Sequence, residues 1–134
     1  MRHVKYGRCV KCGKTYEAVP DLTTCECGGI LDIVYDYDYI KSVFTKETLK
    51  NRQNFTMWRY RELLPVEDTT PDPPLRVGWS PLYAADRLAE QLGIAKLYVK
   101  DDGLNPTASL KDRASAMAVA KAREAGAKVI ACSS

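Results

Sequence analysis

No run of about 18 apolar residues occurs in this chain, so nothing in it reads as a helix that crosses a membrane. The opening Met1 to Gly7 lacks the apolar stretch of a secretory signal, and together these absences point to a cytoplasmic protein without a membrane partner. Excess charge of one sign is missing as well. Twenty basic against seventeen acidic side chains leave a net charge of +3, mixed along the chain instead of gathered into a basic block. Residues 1 to 36 balance Arg2, Lys5, Arg8, Lys11 and Lys14 against Glu17, Asp21, Glu26, Asp32 and Asp36. A segment with no net counterion-releasing charge argues against a nucleic-acid partner. Histidine is almost absent, and the single one, His3, reads as a mobile terminal residue and not as a metal ligand.

What is present fits a globular chain: 134 residues, 46% hydrophobic and 28% charged. Residues 1–36 have too few apolar side chains for a core, yet they hold four of the five cysteines, Cys9, Cys12, Cys25 and Cys27, with Cys132 far away. In a reducing compartment such close pairs are metal ligands more often than disulfides. Cys9-Val-Lys-Cys12-Gly and Cys25-Glu-Cys27-Gly-Gly suit one tetrahedral ion with four thiolates at roughly 2.3 Å, a closed structural site with no open position for catalysis. Zinc is the expected metal, iron fits the same spacing, and free or redox-active thiols are the plainer alternative. Metal binding would replace the missing core. Short β-prone runs, Thr15 to Glu17 and Ile30 to Tyr35, complete a zinc-ribbon-like segment.

Residues 37–82 read as a helical and extended connection. Tyr37 to Phe44 and Met57 to Leu64 have the spacing of short amphipathic helices, and Asp68 to Pro81, rich in proline, reads as extended. Residues 83–134 change again. Ala84 to Leu92 suits a helix stopped by Gly93, Lys96 to Lys100 alternates as a strand, and Asp101 to Ala108 is a loop. Ser109 with Asp112 predicts a capping box for an alanine-rich helix ending at Gly126, and Lys128 to Cys132 a second strand. Strand, helix and strand make a parallel βαβ unit, the start of an α/β domain.

Lys111 falls at the start of that helix, where partial positive charge disfavours ammonium and favours the neutral amine that can form a Schiff base. An exposed, solvated lysine with Asp112 as counter-ion is the plainer reading. The surrounding text, Asn105-Pro-Thr-Ala-Ser-Leu-Lys-Asp-Arg113, resembles the Asn-Pro-Thr-Gly-Ser-Phe-Lys-Asp-Arg signature of threonine synthases, within the fold-type II pyridoxal-phosphate family. Gly78-Trp-Ser-Pro-Leu82 is similar to the Gly-x-Thr-Pro-Leu segment that precedes it there, and the cysteine ribbon is also carried by many threonine synthases. Ala108, Leu110 and Ala114 depart from that pattern.

The resemblance implies pyridoxal 5'-phosphate held by Lys111 as the catalytic and cofactor-binding residue, with Ser109 and Ser134 as candidate substrate contacts. It implies a small phosphorylated amino acid as substrate: O-phospho-L-homoserine and water would give L-threonine and phosphate. A related β-replacement enzyme such as a cysteate synthase, or a zinc-ribbon binding module, is the rival. The family continues past the position of Ser134, so the 134 residues are expected to be an N-terminal fragment, inactive alone, of a longer protein that could assemble as a homo-oligomer.

Overall fold

The computed structural model describes residues 1–132. Among these residues, two small sheets, four short helices and two 3-10 stretches make a mixed α/β architecture. The first sheet has the order β2-β1-β3, with β1 Val4–Cys9, β2 Thr15–Tyr16 and β3 Leu31–Tyr35, all antiparallel. The Cys9 end of β1 faces Leu31, so the sheet presents its cysteine-bearing turns at one end.

Asp36 closes the sheet and starts α1, Tyr37–Val43, by accepting the Tyr39 N–H at 3.0 Å. Thr45 and Thr48 form a reciprocal capping box for α2, Lys46–Asn51. The second amphipathic stretch is a 3-10 helix, Met57–Leu63, kinked at Tyr60, and not an α-helix. Residues 68–81 contain no regular element, in agreement with their prolines.

The core joins this connection to the last helix, α4, Asp112–Glu124: Met57, Trp58, Val66, Val77, Ala116 and Ala120 form one buried cluster. Among the α4 alanines only Ala116 and Ala120, one turn apart, are buried, and their missing bulk lets the helix lie against Trp58 and Val66. His3 corrects its expectation as a mobile residue. It is 3% exposed, its Nε2 donates to the Leu64 carbonyl at 2.8 Å, and its ring stacks on Tyr35. A polar ring with one satisfied hydrogen bond and an aromatic neighbour is held in place more firmly than its terminal position suggests.

β4, Leu82–Ala84, pairs antiparallel with β5, Tyr98–Lys100, and α3, Asp86–Gln91, lies between them in sequence. The mixed α/β class stands, but Lys128 to Cys132 forms no strand, so the parallel βαβ unit is not closed among the described residues. Parallel strands are stable where both sheet faces are covered. Here Tyr98 and Val99 are about half exposed, Val129 is 83% exposed, and the segment has nothing to dock against.

Candidate functional site

Cys9, Cys12, Cys25 and Cys27 bring four sulfur atoms within 4.8 Å of one another. Cys9 Sγ lies 3.5 Å from Cys27 Sγ, and Cys12 Sγ 3.6 Å from Cys25 Sγ. Four sulfurs at roughly 2.3 Å from one ion define a tetrahedron with edges of roughly 3.8 Å, and the observed separations fit it. The two knuckles are shaped by the backbone: Gly13 N–H donates to Cys9 O at 3.0 Å, and Gly28 N–H to Cys25 O at 2.8 Å. Gly29 has the tightest surroundings, since a Cβ there would sit 2.5 Å from Cys9 Sγ and 2.9 Å from Lys11 Cβ.

The electrostatics of the cluster also suit a cation. The Tyr16 hydroxyl, 3.1 Å from Cys25 Sγ, and the Cys27 backbone bring the Cys25 thiol down to about 6. The Cys12 backbone N–H lowers Cys9. Although the Gly29 backbone favours the Cys27 thiolate, its three sulfur neighbours push it up to about 12. Without a cation four thiols this close cannot all ionise; a divalent ion would remove that conflict. His3 is not one of the grouped ligand atoms. Tyr16, unmarked by any metal-ligand pattern, is the residue that sequence reasoning missed here; its position in a strand between the two knuckles was the available signal.

The second site lies at the start of α4. Lys111 occupies the N-cap position, one residue before the helix and not inside its first turn, with an exposed side chain that makes no hydrogen bond or ion pair among the described residues. The expected Ser109–Asp112 capping box is not formed. Ser109 Oγ accepts the Lys111 N–H at 3.1 Å, while the buried Asp112 carboxylate turns back to the Thr107 N–H at 2.8 Å and to its hydroxyl. The competition is local: Thr107 offers Asp112 two donors, more than the box would. Ser134 lies outside the described residues.

Arg113 extends in the other direction. Its Nε and Nη2 reach the two Asp102 oxygens at 2.9 and 2.8 Å, and Ser80 Oγ donates to the same carboxylate at 2.5 Å. Asn105, 6% exposed, accepts the Gly78 N–H at 2.9 Å and donates to the Asp102 carbonyl at 3.0 Å. The Gly-Trp-Ser-Pro-Leu segment and the lysine loop are thereby joined. An uncommitted amine in a loop held from both sides fits a lysine that takes an aldehyde cofactor.

Residues 74–134 match the family described as pyridoxal-phosphate dependent enzyme. The chain is 47% identical over 127 residues to a threonine synthase of Methanocaldococcus jannaschii, covering 95% of this chain and 31% of that protein. It is 44% identical over 135 residues to the threonine synthase of Methanosarcina acetivorans, covering all of this chain and 31% of that protein. A threonine synthase of Synechocystis is 50% identical over 76 residues, 56% of this chain and 20% of that protein. The chain thus spans about a third of the length of the first two relatives. No solved structure matches it significantly.

Proposed function

We propose that this chain, whose residues 74–134 match the pyridoxal-phosphate-dependent enzyme family, is part of a threonine synthase that converts O-phospho-L-homoserine and water to L-threonine and phosphate. The observation that carries the reading is similarity to threonine synthases along nearly the whole chain, ribbon and lysine loop together. In this reading Lys111 binds the cofactor aldehyde through its amine and, once released, moves protons at the substrate Cα and Cβ. The bound cofactor supplies an electron sink. Ser109 and Ser134 are proposed to contact substrate, Ser109 in addition to its bond with the Lys111 N–H.

Residues 1–36 are proposed as a zinc-bound structural segment, residues 37–82 as a connection, and residues 83–134 as the beginning of the cofactor domain. The four cysteines support the first assignment by their number, spacing and mutual approach.

The test is the visible absorption of the full-length protein with pyridoxal phosphate. A band near the blue edge of the visible spectrum, abolished in Lys111→Ala, is the expected result, together with phosphate release from O-phospho-L-homoserine. Absence of the band in the unmutated protein would refute the enzyme reading.

A further inference from the structure

Three backbone segments distant in sequence converge on one carboxylate. Asp102 accepts the Arg113 guanidinium through two parallel hydrogen bonds and the Ser80 hydroxyl through a third. Arg113 Nη2 also approaches Ser80 Oγ at 3.3 Å, and the Lys100 ammonium holds the Ser80 carbonyl. Arg113 is two residues beyond Lys111, and Asp102 stands in the loop before it. Lys111 itself makes none of these bonds.

We infer that Asp102 and Arg113 are positioning residues for Lys111: their fork-to-carboxylate pair, anchored on Ser80, fixes the turn from which the lysine projects. The assignment rests on Lys111 being the cofactor lysine. Two features of the arrangement support positioning over a simple surface ion pair. The first is its geometry, because a guanidinium that meets both oxygens of one carboxylate fixes orientation as well as distance, which an ammonium in its place would not. The second is the close approach of the Gly78 backbone to the guanidinium, whose side chain is 34% exposed. A Cβ at Gly78, whose φ is +85°, would lie 3.0 Å from Arg113 Nη1 and 2.8 Å from Met57 N, so the backbone is shaped around the guanidinium.

The charges are lasting ones. Arg113, with help from Ser80, holds the Asp102 carboxyl well below the usual carboxylate range, and Asp102 raises Arg113 in return. The pair therefore stays ionised wherever the protein works, and its role is orientation and not proton transfer. Asp112 acts on the opposite side by tying back to Thr107. The lysine is thus left free at the end of a loop clamped before and after it.

The experiment uses the full-length protein with Asp102→Asn and Arg113→Lys, each checked for fold by circular dichroism. Three quantities are read: the fraction of Lys111 that borohydride traps with saturating pyridoxal phosphate, by peptide mass spectrometry, and the separate kcat and KM for O-phospho-L-homoserine. In both variants the trapped fraction falls, and kcat drops roughly 10- to 100-fold with KM within about threefold, the signature of a misplaced reacting group. Arg113→Lys keeps the charge, so its failure to rescue separates orientation from electrostatics. Ser80→Ala, which removes the hydroxyl's bond to Asp102 and its contact with Arg113 Nη2 but leaves the ion pair itself, is the milder variant if either of the others does not fold, and the trapped fraction and kcat fall in it by a smaller factor. Folded variants that trap and turn over like the unmutated protein overturn the inference. Failure of the unmutated protein to trap cofactor at Lys111 refutes the enzyme reading itself, and the positioning role with it.

Discussion

The two ends of the molecule solve the same problem, holding a candidate site in shape, by opposite means. Residues 1–36 have little apolar surface to bury and bring four sulfur atoms to one point, 3.5 and 3.6 Å apart in pairs. The lysine loop is held by polar ties, Asp102 to Arg113, Asn105 to Gly78 and Asp112 to Thr107, and rests on a helix whose alanines pack against Trp58 and Val66. A metal centre concentrates its stabilisation in four bonds, whereas the loop distributes it over many weak ones. The first should fail all at once and the second by degrees.

The sharpest way to break that contrast is Gly29→Ala. Its added methyl would stand 2.5 Å from Cys9 Sγ, so the ligand must move and the tetrahedron cannot close. With zinc bound as proposed, metal content is expected to fall from about one ion per chain to near zero, as in Cys12→Ser. Hydrogen exchange should then show loss of protection in β1 and β3 while α4 stays protected. Full metal content in Gly29→Ala would refute the steric argument, and uniform loss of protection along the chain would show that the two ends are not independent. Next in size is Ala120→Leu, which forces a larger side chain into a position with 0% exposure. It should cost about 1–3 kcal/mol in denaturant unfolding without releasing metal.

The contrast also explains what could be read in advance. The four cysteines lie within nineteen positions, Cys9 to Cys27, so their grouping was legible directly from residue type and spacing. Their supporting Tyr16 was not, because any tyrosine at a strand end looks alike until the sulfur is 3.1 Å away. At the other site Lys111 was singled out by its motif and its helix start, yet the box expected around it was displaced by Thr107, a choice between nearby hydrogen-bond partners that spacing cannot decide. Lys128 to Cys132 has the composition of a strand, but a parallel strand depends on neighbours and covered faces, and here its side chains are exposed. His3 looked mobile because it is near a terminus; what fixes it is a carbonyl sixty-one residues away.

Backbone strain offers a gentler perturbation of the lysine loop. Ala108 has φ +56° and Trp79 φ +53°, the two non-glycine residues in the left-handed region among the described residues, and both lie in the segments that Asn105 joins. A left-handed alanine costs about 1–2 kcal/mol, partly offset in a glycine variant by the entropy of the unfolded chain. Ala108→Gly should therefore raise unfolding stability by up to about 1 kcal/mol and leave metal content unchanged. A fall in stability would mean that the side chain contributes packing that outweighs its strain.

The smallest effect belongs to the connection between the two ends, and its pH dependence tests whether they respond separately. Arg52 hydrogen bonds hold the Glu62 carboxyl below its ordinary value. A carboxylate lowered in the folded state contributes stability that is fully present above its unfolded pKa, about 4.3, and is lost as pH falls through the lower folded value. Both side chains are about one-quarter exposed, so the pair is worth under about 1 kcal/mol. Glu62→Gln should flatten the acid side of the stability curve below about pH 4.3 and leave the pH of metal release where it was, since that release follows protonation of the thiolates. A shift of metal release in Glu62→Gln would couple the connection to the cysteine centre and remove the separation between the two ends.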